Sequence, residues 1–377
     1  MSASPLEDYQ RFNPRLAWAG RLLDALYPVL ALLVNRWEEE PPVTLALARP
    51  RKILLLESHL IGDTVLASSL LRALRARYPE AELHLLGNDW AEALLGGLGL
   101  VDRFVIQRIP WARYDYSRAN LARLWEGLLA LRRERYDLAI DPRGDARNAV
   151  LLWLTRARVR LAPGCTGGRR FLTDVAPSPA PMAPLLEAKA AVLAPLGISG
   201  PPPLPSLVAT PEAQATAGQV MASLRARHPG PWVGFHPGAS QAQRRLSPGK
   251  QLALLQALAA AGHPVLLLGT AAERPVLEAL AAAAPGEAQV FTANLPEAMA
   301  VLGQLGALIG MDSGPAHIAA ALGTPLVVIV EPHKVGITTP RGLAPVAEVA
   351  PVAGAPVETV VIPELLGRLA AVLRRGA

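Results

Sequence analysis

Residues 309 to 332 read IGMDSGPAHIAAALGTPLVVIVEP, and Asp312, Ser313, Gly314, Pro315 and His317 crowd into one turn between two apolar runs. Proline suits the first helical position, because its missing N–H would be unpaired there anyway. With Pro315 there, Gly314 becomes the cap, and the N–H groups of Ala316 and His317 are left free. Such a helix start binds anions through its free donors and the helix dipole. A carboxylate beside a phosphate repels it, so Asp312 either caps its own turn or reaches a ribose hydroxyl. The same residues also fit an ordinary capped strand-to-helix turn, with His317 a satisfied buried side chain.

Three further stretches carry chemistry of a related kind. In HPGASQAQRR (236–245), Gly238 permits a tight turn, Ser240 offers a hydroxyl, and Arg244 and Arg245 offer two forks for a diphosphate. In LLLGTAAER (266–274), Glu273 could accept from ribose hydroxyls or be a solvated first-turn glutamate. In SHLIGDTVLASSLL (58–71), Gly62 and Asp63 occupy a turn after an apolar run. Asp63 there reads equally as a helix N-cap and as a general base.

What the chain lacks narrows the class. No G-x-G-x-x-G follows the first strand of either half, which argues against a dinucleotide oxidoreductase, and no G-x-x-x-x-G-K-[ST] loop occurs. No Asp-x-Asp pair or Cys/His cluster offers to hold a metal. An enzyme working without metal or cofactor must offset leaving-group charge with arginine and helix-start donors.

The chain has 377 residues, a formal charge of +6 and 51% hydrophobic residues, enough for two domains with sizeable cores. Only four of its 37 basic residues are lysines, leaving 37 − 4 = 33 arginines, a bias in which genome composition has the larger share. Interleaved basic and aromatic residues of a nucleic-acid binder are absent. A single cysteine, Cys165, fits a reducing compartment, and MSASPLEDYQ is no signal peptide, so the expected location is cytoplasmic. The apolar segment 16–37 contains Arg21, Asp24 and Pro28 and is too short of uninterrupted apolar residues to span a bilayer. Two readings remain open for it: a helix on a membrane surface with Trp18, Tyr27 and Trp37 as interfacial anchors, or a helix packed on its own domain.

The elements that must position these residues alternate regularly. KILLLE (52–57), ELHLLG (82–87), RFVIQ and DLAID (137–141) read as strands separated by helices near 65–78, 90–98, 117–135 and 146–157. The rhythm breaks at the proline-rich SGPPPLPSLVATPEA (199–213) and restarts with strands at PWVGFHPG, HPVLLLGT, 289–291 and ALIGM. The fold class is therefore α/β, two Rossmann-like doubly wound parallel sheets facing a cleft. Expected domains are a helical extension (1–50), a first domain (51–198), a linker (199–213) and a second domain (214–377) whose final helix could cross back to the first. Every candidate falls on a loop leaving the C-terminal end of a strand, where such sheets bind ligands.

Taken together, KILLLESHLIGDTVLASSLLRALRARYPEAELHLLG, YDLAIDPRGD, GFHPGASQAQRRLSPGK and GMDSGPAHIAAALGTPLVVIVEP resemble the glycosyltransferase family 9 heptosyltransferases, over roughly residues 51 to 375. The resemblance implies a GT-B fold, with acceptor bound by the first domain and nucleotide sugar by the second. It implies transfer of heptose from ADP-heptose to inner-core lipopolysaccharide, with inversion and without a metal, at the cytoplasmic face of the inner membrane. Asp63 matches the family's proposed base, and Ser240 and Arg244 match the diphosphate positions, with arginine where lysine is usual. Glu273 matches the ribose-binding glutamate, and Asp312, Ser313, Gly314 and His317 match the donor block. Gly62 and Arg143 are the expected acceptor-side residues, Arg143 leading a cluster with Arg147, Arg156, Arg158, Arg160, Arg169 and Arg170 that could meet a phosphorylated sugar-lipid. Leu246 stands where the family often has tryptophan, and Glu331 with His333 replaces a more usual Gly-Pro-Thr in a region that commonly faces the donor sugar.

Overall fold

The computed structural model describes residues 14–34, 45, 49–113, 115–239 and 241–376. Ser240 and Trp37 lie outside the described residues. Contacts divide the chain into two compact units. One comprises residues up to 59, 67–92 and 99–203; the other comprises 60–66, 93–98 and 204 onward.

In the first unit, apart from residues 60–66 and 93–98, helix α1 (Pro14–Val34) precedes β1 (Lys52–Glu57), α2 (Ile61–Arg77), β2 (Glu82–Gly87), α3 (Ala91–Leu95), β3 (Arg103–Ile106), α4 (Pro110–Arg113) and α5 (Arg118–Arg133). β4 (Leu138–Ile140), α6 (Ala146–Leu154), β5 (Val159–Pro163), β6 (Asp174–Ala176) and α7 (Leu185–Ala190) complete it. Its sheet has the order β3-β2-β1-β4-β5-β6, every pair parallel. Strands covered on both faces read as near-continuous apolar runs. Ile53 to Leu56 and Leu138 to Ile140 are accordingly at most 2% exposed.

The second unit runs α8 (Pro211–Arg227), β7 (Val233–His236), α9 (Pro248–Ala260), β8 (Val265–Gly269), α10 (Arg274–Ala283), β9 (Ala288–Thr292) and α11 (Leu295–Leu302). It ends with β10 (Ala307–Met311), α12 (Gly314–Leu322), β11 (Leu326–Ile329), β12 (Val346–Val349) and α13 (Ile362–Gly376). Its sheet, β12-β11-β10-β7-β8-β9, is again wholly parallel and repeats the doubly wound order of the first. Both units are thus Rossmann-like, the pair of sheets that defines GT-B. The core of the second unit gathers Val233, Phe235, Leu267, Ile309 and Ile329 from the strands with Leu365, Leu369 and Val372 from α13. The terminal helix therefore packs on its own unit's sheet, against β10 to β12.

The helix α8 was not foreseen. Thr210 caps it by accepting from the N–H of Ala213, Pro211 takes the first turn, and Ala213, Ala217, Met221 and Leu224 form its buried face. The last residues of the proline-rich segment are therefore helical.

α1 shows two faces. Leu23, Tyr27 and Leu30 pack on Ala149, Trp153 and Phe171, and Asp24 accepts from the backbone N–H groups of Gly168 and Arg170, both at 3.0 Å. Tyr27 meets the Phe171 ring edge-on at 5.1 Å, so it ties the helix to its domain and is no interfacial anchor. The opposite face, Trp18, Leu22, Leu26, Val29 and Leu32, is exposed. Among the described residues no helix is long and apolar enough to cross a membrane.

Candidate functional site

In a doubly wound sheet the crevice for ligands opens where the strand order reverses, outside the C-terminal ends of the strands. The reversals lie between β1 and β4 in the first unit and between β7 and β10 in the second. The loops leaving these four strands and the helix starts they lead into carry Gly62 and Asp63, Arg143, Arg244, and Asp312 to His317 respectively. Glu273 follows β8 and Glu331 follows β11, each one strand outward.

At the end of β10 the cap is Ser313, one residue earlier than expected, and Gly314 is the first helical residue. The N–H groups of Ala316 and His317 donate to the Ser313 carbonyl, so the amides left without an acceptor are those of Ser313 and Gly314. The Ser313 hydroxyl does not cap the helix but donates to the Met311 carbonyl at 3.1 Å. Asp312 accepts from the Thr338 hydroxyl at 3.1 Å, which fixes its carboxylate. His317 is 5% exposed and its Nδ1 has no hydrogen-bond partner. Burial holds the imidazole below its ordinary pKa, against the opposing pull of Asp312 and Asp63. The ring is therefore neutral near pH 7.

After β7, Arg244 sits in a 3-10 turn, 20% exposed. Its Nε lies 3.0 Å from Glu331 Oε2 but is not aligned for a hydrogen bond, and its terminal nitrogens have no partner among the described residues. Lys334, 2% exposed at the side chain, donates to the same oxygen of Glu331. Burial pushes the Lys334 ammonium down, and Lys334 and Arg244 together hold the Glu331 carboxyl below the usual range against its own burial. Lys334 was not among the expected site residues; its signal in the sequence is its rarity, as one of four lysines.

His236, at the end of β7, was also missed. Its Nδ1 is buried without an aligned hydrogen bond, and burial lowers its pKa, with Glu273 and the backbone at His236 and Gly238 pulling the other way. Glu273 is a capping residue of its own turn with one oxygen left over. Its Oε2 closes a capping box by accepting from the N–H and hydroxyl of Thr270, both at 2.8 Å, while Oε1 accepts nothing from the described residues. A Cβ at position 238 would stand 2.9 Å from the His236 ring and 3.0 Å from Glu273 Oε1, so glycine there keeps the space between them open.

Asp63 occupies the first turn of α2, whose capping position is Leu60; the Thr64 N–H and hydroxyl both donate to the Leu60 carbonyl. The N-cap reading of Asp63 therefore falls. The segment 60–66 belongs by contacts to the second unit, and there a Cβ on Gly62 would stand 2.7 Å from the His317 ring. Asp63, 9% exposed, is one of the two carboxylates whose charge acts on that imidazole.

In the loop after β4, Arg143 is half-buried, and its charge acts on the nearby Asp145 carboxylate. Its backbone N–H and that of Gly144 donate to Asp141, as does Asn148. Burial pushes the Asp141 carboxyl up to about 6 despite these donors. The rest of the arginine cluster is mostly structural. Arg160 is buried and donates to the carbonyls of Phe171 and Ala157, Arg147 pairs with Asp145 at 2.6 Å, and Arg169 donates to Gly164.

Comparisons with known proteins identify the family. The family described as Glycosyltransferase family 9 (heptosyltransferase) matches residues 123–352. Lipooligosaccharide heptosyltransferase 2 of Haemophilus influenzae is 27% identical over 304 residues, 76% of this chain and 85% of that protein. Lipopolysaccharide heptosyltransferase 2 of Escherichia coli is 28% identical over 306 residues, covering 77% and 85%. The solved E. coli ADP-heptose lps heptosyltransferase II superposes with a TM-score of 0.70 at 23% identity, over 86% of this chain and 99% of that one. With its paired doubly wound sheets and a family match over more than half its length, the chain belongs to glycosyltransferase family 9, the heptosyltransferases.

Proposed function

We propose that this glycosyltransferase moves heptose from ADP-heptose to an inner-core lipopolysaccharide acceptor, by inverting displacement without a metal. The observation that carries the donor half is a set of unused polar groups at one strand-order reversal. His317 Nδ1, His236 Nδ1, the terminal nitrogens of Arg244 and the amides of Ser313 and Gly314 all lack aligned hydrogen bonds among the described residues. A buried donor or acceptor left unpaired costs about 1–3 kcal/mol, which applies to the two buried imidazole nitrogens, and the part-exposed guanidinium and amide donors beside them favour an anionic ligand.

In this reading Arg244 and the start of α12 hold the diphosphate and stabilise its departure, Ser240 assists from the same loop, and Glu273 Oε1 receives a ribose hydroxyl. Asp312, Ser313 and the neutral His317 line the donor position. Asp63 takes the proton of the attacking acceptor hydroxyl, which then displaces the diphosphate at the anomeric carbon. Gly62 and Arg143 serve the acceptor, Arg143 as a cation for a phosphate on the inner core. The relatives support the substrates: those from H. influenzae and E. coli are a lipooligosaccharide and a lipopolysaccharide heptosyltransferase, and the E. coli structure is of an ADP-heptose lps heptosyltransferase. The work is done in the cytoplasm at the inner face of the membrane, with the outward face of α1 resting on the lipid.

The test is thermal shift against ADP, UDP, GDP and their sugars, followed by turnover of ADP-heptose on truncated lipopolysaccharide. Stabilisation by ADP compounds and product formation support the reading. A preference for another nucleotide would replace the donor, and no response to any would leave a glycan binder that kept the fold.

A further inference from the structure

Glu331 is placed where no carboxylate serves a diphosphate. It leaves the C-terminal end of β11 and lies 3.0 Å from the Nε of Arg244, the guanidinium assigned to the phosphates. An anion that close to a phosphate fork opposes phosphate binding by direct repulsion. The chain retains it and places a second cation behind it: Lys334, with a side chain 2% exposed, donates to Oε2. Arginine, glutamate and lysine together keep a net positive charge, so the site remains attractive to an anion while presenting one acceptor. Both cations converge on Oε2; Oε1 accepts nothing from the described residues, and the carboxylate is 22% exposed. An ionised carboxylate oxygen accepts hydrogen bonds and cannot donate them. Its ligand must therefore bring donors that are not anionic, and beside a phosphate fork in a nucleotide-sugar enzyme these are sugar hydroxyls.

We propose that Glu331, held by Lys334 and Arg244, is a specificity residue that accepts hydrogen bonds from hydroxyls of the donor's sugar ring. This rests on the donor site proposed above. It adds that the sugar is read by a carboxylate at the end of β11, and that Lys334 is a positioning residue that keeps the carboxylate ionised and aimed.

The test compares binding of ADP and ADP-heptose to the full-length protein and two variants by calorimetry. Glu331→Ala with Lys334→Met removes carboxylate and buried ammonium together, avoiding an unpaired buried charge. Glu331→Gln keeps the shape and loses the charge. Hydrogen bonds to charged groups are the stronger class, so the double variant should bind ADP-heptose about tenfold or more weakly, and the glutamine variant should fall between. ADP, which has no sugar to lose, should bind within about threefold of wild type or tighter, since Glu331 no longer competes for Arg244. Equal losses for ADP and ADP-heptose in folded variants would make Glu331 a mere support of Arg244, and no loss for either would remove it from the site. Both results overturn the proposal. If wild type prefers a UDP or GDP sugar, the ADP reading fails, and the same comparison on that nucleotide still decides Glu331. If wild type binds no nucleotide sugar, both readings fall.

Discussion

Asp63 sits in the first turn of α2, next to Gly62, whose missing side chain leaves room for the His317 ring. General base assistance is worth about 10²–10⁴-fold in rate. Asp63→Ala should therefore reduce kcat by that order while ADP affinity stays within about threefold. Calorimetry with ADP beside steady-state turnover separates the two, and a parallel fall in ADP affinity would remove the base assignment. Gly62→Ala should act differently, because a methyl 2.7 Å from a buried imidazole must move the ring or the turn. The expected outcome is weaker nucleotide binding together with lower turnover. At this scale the sequence was informative about residue type and poor about partners. Asp312, Glu273 and Arg244 stand on the strand-end loops their motifs implied. Lys334 and His236 were missed because neither sits in a recognisable spacing. What marks them is burial of a cation against Glu331, and of a ring nitrogen without an aligned hydrogen bond beside Glu273, which only the fold creates.

Between residues and domains, the strand-end loops behave as units. The loop after β4 closes around Asp141, which is fully buried and titrates near 6 where an unburied aspartate titrates at 3.8. Because its pKa is raised on folding, the folded state holds the proton longer than the unfolded chain. Its contribution to stability is therefore fully present below about pH 4 and lost as pH rises to about 6. A shift from 3.8 to about 6 corresponds to about 3 kcal/mol. The stability difference between wild type and Asp141→Asn should shrink by that order between pH 4 and 6, measured by urea unfolding at each pH. A difference that stays constant would show that Asp141 does not titrate there. Strands such as KILLLE were legible because a doubly covered strand is apolar throughout. The helix α8 was not, because its buried face uses two alanines among Ala213, Ala217, Met221 and Leu224, and it follows directly on a proline-rich run. α13 shows the opposite case, with leucines at helical spacing that reach the core: Leu365 and Leu369 are fully buried. Leu369→Ala should cost about 2–5 kcal/mol, read from the same unfolding curves.

For the molecule as a whole, the helix before the first sheet has two unlike faces. One face of α1 is committed to the domain through Tyr27, Asp24 and the ring of Phe171. The other presents Trp18, 67% exposed, and Leu32, 75% exposed, with Leu22, Leu26 and Val29 along the same stripe. Leaving such a stripe in water forgoes about 25 cal/mol for each Å² of apolar surface that could be covered. The neighbouring Arg169 and Arg170 are exposed and would add attraction to anionic lipid. An enzyme whose acceptor is anchored in a bilayer gains encounter rate by staying at that surface, whereas its nucleotide chemistry is indifferent to it. Co-sedimentation with vesicles should therefore show binding to anionic phospholipid, weaker binding to zwitterionic lipid, and loss on adding salt. Trp18→Glu with Leu32→Glu should abolish sedimentation and leave ADP affinity unchanged. Turnover on lipopolysaccharide in vesicles should fall while turnover on a soluble delipidated acceptor holds. If the double variant sediments as wild type does, α1 is not the contact, and a change in oligomeric state on the same substitution would identify a second copy of the chain as what covers the stripe.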